Sequence, residues 1–361
     1  MRYLSVCSGI EAATVAWHPL GWKPIAFAEI EPFASTVLAN RFPTVPNLGN
    51  MEEYDAWQIK ANEVDLLVGG TPCQSFSVAG LRKGLQDPRG NLALVYLGLL
   101  DKYRPRWCVW ENVFGVLSSN GGRDFGSFVG GLAELGYGFA YRVLDAQYVR
   151  TQQYPFAVPQ RRRRVFVVGH SSGDARRAAK VLLEPEGVRG NPPSRSQTQQ
   201  SASSSASTAS GGSGKPAFEW PIEVADPITA NEGRTYTHEG ANNFRMHNVV
   251  PAAPFDISHI TNTNNRSNPQ SGDSCHAVTL PGRSPTIAAN SMIRRLTPLE
   301  CERLQGFPDN WTGVKYKGRK IADNAHRYRA LGNSMAVNVM NWIGARIEQN
   351  EQEVECLIKP K

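Results

Sequence analysis

Val64-Asp65-Leu66-Leu67-Val68-Gly69-Gly70-Thr71-Pro72-Cys73-Gln74-Ser75-Phe76-Ser77 is the stretch that decides the fold. Three consecutive apolar residues, Leu66 to Val68, are cut off by two glycines, a threonine and a proline. A short apolar run bounded by turn residues reads as a buried strand of a parallel sheet that ends in a tight loop. Open α/β sheets bind ligands at the carboxyl ends of such strands. Cys73 stands at that place, next to the stiff Pro72. Taken alone, Cys73 reads more readily as a small buried hydrophobe; the rest of the chain decides between the two.

Upstream, residues 3–7 read as a first strand. Ser8-Gly9-Ile10-Glu11 is expected to open a helix through a capping box, with Ser8 accepting from Glu11 and Glu11 reaching back. Ile10, Ala13, Thr14 and Trp17 follow at helical spacing. A strand, a glycine turn and a helix N-terminus together make a cofactor cradle, although only Gly9 of a glycine-rich fingerprint is present. Ile25 to Ala28 read as a second strand ending in Glu29, and Pro32 suits the first turn of a helix whose buried face carries Phe33, Val37 and Leu38. An acidic residue roughly 20 positions beyond the first turn is the usual partner of a ribose hydroxyl pair. Glu29 fits, with Glu31 as its competitor. The first half therefore reads as an α/β nucleotide-type fold that binds an adenosine-containing cofactor.

Downstream, Arg82 to Asn91 is polar, with Gly80, Gly84 and Gly90 in or beside it, and reads as a mobile active-site loop. A helix is expected over 92–103. Trp107 to Trp110 read as a strand ending in Glu111-Asn112-Val113, so that Glu111 shares a sheet with Cys73. In isolation a solvated loop carboxylate is the commoner fate of such a residue. A helix over 124–135 and a strand over 137–144 follow. Then Pro159-Gln160-Arg161-Arg162-Arg163-Arg164 enters the apolar run Val165 to Val168. Four arginines entering a strand suit a phosphate or a base edge; a basic surface patch or localisation signal is the plainer reading.

The character changes at His170. Residues 194–214 are almost all Ser, Thr, Gln, Ala and Gly, the composition of a disordered insert or flexible linker. Residues 215–290 show short β-like pieces, turns and asparagine clusters. Basic and acidic residues balance across 170–290, so the excess positive charge lies elsewhere. Order returns near residue 296. Thr297-Pro298-Leu299-Glu300 is a capping box with proline at the first helical position. Leu331-Gly332-Asn333-Ser334 is expected to open a last helix with Val339, Trp342, Ile343 and Ile347 facing inward, packing back on the first domain.

With 361 residues the chain can bury one large core or two domains, and its net charge of +7 makes a polyanionic partner plausible without identifying one. The six cysteines are scattered with no Cys-x-x-Cys pair, which argues against zinc ribbons and redox motifs and for reduced thiols. The N-terminus is too short an apolar stretch for a signal peptide, and the longest apolar run, Leu92 to Leu100, is too short to span a bilayer. A cytoplasmic protein with no membrane association is expected.

These residues, in this order, resemble the DNA (cytosine-5)-methyltransferase family of the bacterial and phage type. The resemblance covers 1–170 and 291–350. Its most specific pieces are Gly70-Thr71-Pro72-Cys73-Gln74-Ser75-Phe76-Ser77, Glu111-Asn112-Val113, Gln160 to Arg164, Arg295 to Cys301 with Gly306-Phe307-Pro308, and Gly332-Asn333-Ser334. It implies a Rossmann-like S-adenosylmethionine-dependent methyltransferase domain with a smaller, loop-rich, β-containing target-recognition domain. The implied organisation is 1–170 for catalysis and cofactor, 171–290 for target recognition with the serine-rich insert 194–214, 291–350 packing back on the catalytic part, and 351–361 as a tail.

The chemistry fits. Cytosine C5 is a poor nucleophile, and a thiolate adding at C6 makes it enamine-like and able to take a methyl group. Cys73 is the implied nucleophile, Glu111 the carboxyl that shares a proton with the ring, and Arg162 and Arg164 the arginines of the family's Gln-x-Arg-x-Arg pattern. The base lies inside the duplex and must be flipped out. For S-adenosylmethionine, the resemblance carries Ser8 and Gly9 to the methionine end, Glu29 to the ribose, Ile30 to the adenine face, Asn50 and Met51 to the adenine pocket, and Pro72 and Asn333 to the cofactor site. Gln74, Ser77 and Thr279 are carried to the substrate DNA, Thr279 on the two-residue match Thr279-Leu280. No metal is implied. Two departures stand out: Cys7-Ser8-Gly9-Ile10-Glu11-Ala12 replaces the usual Phe-Ala-Gly-x-Gly-Gly, and Asn50 replaces an Asp.

The implied partners are double-stranded DNA and, where a modification system is complete, a cognate restriction endonuclease; one flipped base needs one active site, so a monomer is expected. Two alternatives stay open: a tRNA cytosine-5 methyltransferase, against which the tRNA enzymes' Cys-Phe-Thr is replaced by Phe114-Gly115-Val116, and a catalytically silent DNA-binding homologue.

Overall fold

The computed structural model describes residues 1–72, 92–183, 253–255, 286–289 and 292–358. The expected active-site loop at 82–91, the serine-rich insert 194–214, and Cys73, Gln74, Ser77 and Thr279 lie outside the described residues.

The elements, in order, are β1 (Arg2–Val6), α1 (Ala12–Trp17), β2 (Lys23–Ala28), α2 (Pro32–Arg41), β3 (Leu66–Gly69), α3 (Leu92–Tyr103), β4 (Trp107–Val113), α4 (Arg123–Glu134), β5 (Gly138–Asp145), β6 (Arg163–His170), α5 (Ala175–Leu183), β7 (Ala253–Phe255), β8 (Thr286–Ala289), β9 (Met292–Arg295), α6 (Pro298–Gln305), α7 (Asn324–Asn333) and α8 (Val337–Ile358). Short 3-10 turns lie between them, among them Met51–Ala56. Six strands form one sheet in the order β2-β1-β3-β4-β6-β5, and β7-β8-β9 form a second. β2, β1, β3 and β4 run parallel, and β6 runs antiparallel to both of its neighbours.

Alternation along the strands sends side chains to opposite faces, and each face has its own core. Tyr3, Leu66, Val68, Trp107 and Val109 face one side, where they pack with α1, α2, α5 and α8. Leu4, Val6, Leu67, Cys108 and Trp110 face the other, against α3 and α4. The strand predicted at Leu66 to Val68 is therefore central and buried on both faces, which is why it reads as an unbroken apolar run. Gly69 is required where β3 meets β1: a Cβ there would lie 2.6 Å from Val6 Cγ2 and 2.9 Å from the Val6 carbonyl oxygen.

The C-terminal segment makes contacts with the sheet and with α1. Trp17 Nε1 donates to the Met340 carbonyl at 2.7 Å, and Asn338 Nδ2 donates to the carbonyls of Ala146 and Val149, each at 2.8 Å. Val339, Trp342, Ile343 and Ile347 are buried as expected. The capping box at Thr297 and Glu300 is present.

Two local expectations are corrected. Ser8 and Glu11 do not form a capping box. α1 starts at Ala12, and Glu11 is itself the N-cap, its carboxylate accepting from the Thr14 amide. Ser8 Oγ instead donates to the Ser5 carbonyl and accepts from the Ala28 amide, tying the ends of β1 and β2 together. Leu331 to Asn333 close α7 rather than opening the last helix, and Ser334 is the C-cap. A Gly-Asn-Ser run suits either end of a helix, so composition alone misplaces it. β4 runs through Glu111 to Val113, in line with the strand expected to end there, and Glu111 is buried.

Candidate active site

The carboxyl ends of β1, β3 and β4 open on a common cleft. Ser5, Ser8, Gly9 and Glu11 line it from the first turn, Gly70 from the second and Glu111 from the third; Asn333, Ser334 and Met335 line it from the C-terminal side. It encloses about 370 Å³, part of it open to solvent. Met335 was not foreseen; a flexible apolar side chain after the Gly-Asn-Ser run gives no periodic signal.

The β1–α1 turn is tightly wound. Cys7, Gly9 and Glu11 all have left-handed backbone, with φ of 48°, 57° and 67°. A Cβ built on Gly9 would meet nothing within 4 Å, so open space lies over this turn. The Gly9 amide donates to Glu29 Oε2 at 2.7 Å, and the Glu31 amide to Glu29 Oε1 at 2.7 Å. Glu31 is the N-cap of α2, its carboxylate accepting from the Ala34 amide at 2.6 Å. Glu31 thus holds a helix end, and Glu29 sits at the turn. Desolvation raises the Glu29 carboxyl, against the hydrogen bonds that lower it.

Ile30 beside it is 70% exposed, an apolar surface that a flat ring could cover. Met51 is buried, with its Sδ 3.4 Å from Cys7 Sγ. Asn50 caps the Met51–Ala56 turn, its Oδ1 accepting from the Glu52 amide at 3.1 Å. Burial pushes the Cys7 thiol up to about 12, so it stays protonated.

On the other side of the cleft, Glu111 is the centre. Its Oε1 lies 3.2 Å from Arg164 Nε, and the Oε2 oxygen would lie 3.0 Å from a Cβ at Gly70. The chain leading to Cys73 thus passes close over the carboxyl, and a Cβ at Gly70 would require the ends of the Glu111 and Met335 side chains to give by a few tenths of an ångström. Burial raises the Glu111 carboxyl, while Arg162 and Arg164 pull it down; burial wins. Arg162 is buried and its Nη2 donates to the Gly332 and Ser334 carbonyls at 3.0 and 2.5 Å, while Nε and Nη1 have no partner among the described residues. Desolvation first, and Arg164 second, lower Arg162 to about 9. Its unsatisfied donors, and the equally unsatisfied amide of the buried Gln160, are what a site built for an absent polar ligand leaves behind.

The loop is anchored from below. Trp110 Nε1 donates to Thr71 Oγ1 at 2.9 Å, and Asn112 Nδ2 donates to the Thr71 carbonyl at 2.9 Å. Thr71 is buried and Pro72 exposed, so the chain emerges from the sheet at that peptide. Thr71 and Asn112 stood in the quoted motifs, but their holding role needs the side-by-side register of β3 and β4.

Among the described residues no group of three or more His, Cys, Asp or Glu could hold a metal ion. No helix among them is long and apolar enough to cross a membrane.

The sheet and its cleft define a Rossmann-like S-adenosylmethionine-dependent methyltransferase fold. The same fold is found in the crystal structure of the S. pombe Dnmt2 methyltransferase, with a TM-score of 0.54 and 15% identity over 98% of this chain and 99% of that one. The chain belongs to the C-5 cytosine-specific DNA methylase family, whose model matches residues 1–349. It is 36% identical, over 96% of its length, to an Escherichia phage P1 protein named DNA N-6-adenine-methyltransferase. It spans 61% of that relative's length. It is 27% identical to the Type II methyltransferase M2.BsuMI of Bacillus subtilis (strain 168), over 97% of this chain and 76% of that one.

Proposed function

We propose that this chain methylates C5 of a cytosine flipped out of duplex DNA, through a covalent bond between Cys73 and C6. The observation that carries the reading is the passage of Gly70 over the Glu111 carboxyl, which brings the segment preceding Cys73 to a buried, raised-pKa acid flanked by two arginines. A binding module needs none of these.

The residues divide the work. The Cys73 thiolate adds to C6, and the C5–C6 π electrons move toward N3 and O2. Glu111 shares a proton with N3 as that charge develops. Arg162 and Arg164 lie beside Glu111 and supply positive charge for the O2 side and an adjacent phosphate. C5 becomes a carbon nucleophile. S-adenosylmethionine, when bound, supplies the electrophilic methyl group. Loss of the C5 proton then lets the C5–C6 double bond re-form and the sulfur of Cys73 depart.

For that cofactor we assign Ser8 and Gly9 to the methionine end, Glu29 to the ribose, Ile30 and Met51 to the adenine, and Pro72 and Asn333 to the cofactor site; of these Ser8, Gly9 and Asn333 line the cleft. Asn50, engaged with Glu52, offers its carboxamide at the adenine edge in place of a carboxylate. We assign DNA contacts to Gln74, Ser77 and Thr279 and target recognition to 171–290, excepting α5, which packs on β5 and β6. A cognate restriction endonuclease fits the Type II relatives.

The printed name of the phage P1 relative favours a second reading, methylation of adenine N6. An exocyclic amine has its own lone pair and needs no thiol, so that reaction leaves Cys73 without a task.

The test is expression of the chain, and of Cys73→Ala, in a methylation-free host. Bisulfite sequencing and nucleoside mass spectrometry of the genomic DNA follow. 5-Methylcytosine in one short sequence, absent with the variant, is expected. N6-methyladenine without 5-methylcytosine would replace this reading with the second. Modification of tRNA alone would move the enzyme to RNA.

A further inference from the structure

We propose that Glu11 reads the charge of the methyl donor, holding the cationic sulfonium in preference to the neutral thioether left after transfer. The inference rests on the reading of the cleft as an S-adenosylmethionine site and adds a specificity residue to it.

The position itself is the first observation. Glu11 stands where the family's Gly-x-Gly turn has its second glycine, and its φ of 67° is one a glycine adopts freely and a glutamate does not. Backbone strain of this kind persists where the surroundings hold it in place. The carboxylate is held by three hydrogen bonds. Ser5 Oγ donates to Oε2 at 2.8 Å; the Thr14 amide and Thr14 Oγ1 donate to Oε1 at 3.1 and 2.9 Å. Tyr3 OH and Thr14 Oγ1 pair behind it at 2.6 Å.

All these partners are neutral. They satisfy the oxygens without cancelling the charge. Glu11 is 1% exposed, lines the cleft, and forms no ion pair among the described residues. Glu111, the other carboxylate lining the cleft, has Arg164 beside it. Among the described residues the cleft lining contains no lysine, arginine or histidine. A ligand entering it therefore meets one uncompensated negative charge in a low-dielectric wall, where a cation is attracted far more strongly than in water.

Among the described residues, Glu29 after β2 and Tyr3 on β1 interact with the Glu11 charge, and Cys7 in the turn and Glu111 on β4 share the cleft lining with it; from the C-terminal side, Asn333, Ser334 and Met335 are uncharged. Desolvation, helped by the charge of Glu29, pushes the Glu11 carboxyl up to about 7 against its hydrogen bonds. Discrimination should therefore strengthen as the pH rises through neutrality and Glu11 ionises. The methylated and spent cofactors differ by one charge at one atom, so their affinity ratio isolates this effect.

The experiment is calorimetric titration of the full chain with S-adenosylmethionine and with S-adenosylhomocysteine from about pH 6 to about pH 8.5. Wild type, Glu11→Gln and Glu11→Gly are compared; the glycine variant relieves the left-handed strain and so keeps the turn. In wild type the preference for the sulfonium should grow on the order of tenfold across the range. In both variants it should be small and independent of pH, with thioether binding changed by less than about twofold. A pH-independent preference in wild type, or one retained in both variants, overturns the proposal while leaving the cofactor assignment intact. Binding of neither compound by the wild-type chain overturns the cofactor reading and this inference together.

Discussion

Arg164 Nε stands 3.2 Å from Glu111 Oε1 because β6 runs antiparallel to β4. Arg164 pairs with Val113, and Glu111 with Phe166, so the two side chains are diagonal neighbours on one face of the sheet. The arginine lowers a carboxyl that burial raises. Arg164→Ala should therefore raise the Glu111 carboxyl further. If the protonated acid is the form that serves N3, the alkaline fall of kcat/KM moves to higher pH in this variant. The level of the rate should drop as well, but the shape of the profile is the readout. A fall at unchanged pH would mean that Glu111 does not act through its proton.

The Thr71 carbonyl accepts from Asn112 Nδ2, and its hydroxyl from Trp110 Nε1. Both contacts hold the peptide just before Pro72. Thr71→Val leaves the buried indole N–H unpaired and should cost ~1–3 kcal/mol in urea unfolding. Asn112→Ala releases the carbonyl and should lower kcat on the order of tenfold or more, with a much smaller change in DNA affinity. Unchanged kcat in Asn112→Ala would show that the loop is positioned without this contact.

Glu11 links stability to pH. Its ordinary value is 4.5 and the folded-state value about 7. A raised acid favours folding fully below the unfolded value, and that contribution is lost as the pH rises through the folded one. Glu11→Gln cannot titrate. The stability of the variant relative to wild type should therefore climb between about pH 4.5 and pH 7 and then level off, by up to about 3 kcal/mol. Urea melts at several pH values measure it. A flat difference would place the carboxylate in a better-solvated site than its 1% exposure indicates.

Strands and helices with a clear period were legible in the chain. Leu66 to Val68, the 92–103 helix and the strand after Arg164 all lie where apolar patterning puts them. Their flanking turns were not. Ser8 and Glu11 have the composition of a capping box, yet the left-handed turn at Glu11 starts the helix three residues later and turns its carboxylate into the cap. Such a φ leaves no trace in a sequence when the residue is not glycine. The site was legible as a set of residues, because Glu111, Arg162 and Arg164 sit in quoted motifs. Their arrangement was not, since it depends on β6 inserting antiparallel beside β4, a pairing that no local pattern specifies. Arg162 shows the gap most clearly: its anchors are carbonyls 170 and more positions away, at Gly332 and Ser334.

Gly344 marks where the C-terminal helix meets the first one. A Cβ there would lie 2.3 Å from Trp17 Nε1 and 2.4 Å from Trp17 Cδ1. The indole cannot simply step aside: it packs edge-on against Tyr3 at 5.1 Å and donates its N–H to Met340. Gly344→Ala must therefore push α8 away from α1 or break the indole hydrogen bond. Overpacking of this kind costs ~1–3 kcal/mol. The gain in helix propensity from Gly to Ala returns no more than ~1 kcal/mol. The variant should unfold at lower urea than wild type, and Trp17→Phe in the same background should recover part of the loss by removing the crowded ring edge. Full stability in Gly344→Ala would mean that α8 packs more loosely on α1 than the shared Trp17–Met340 contact requires.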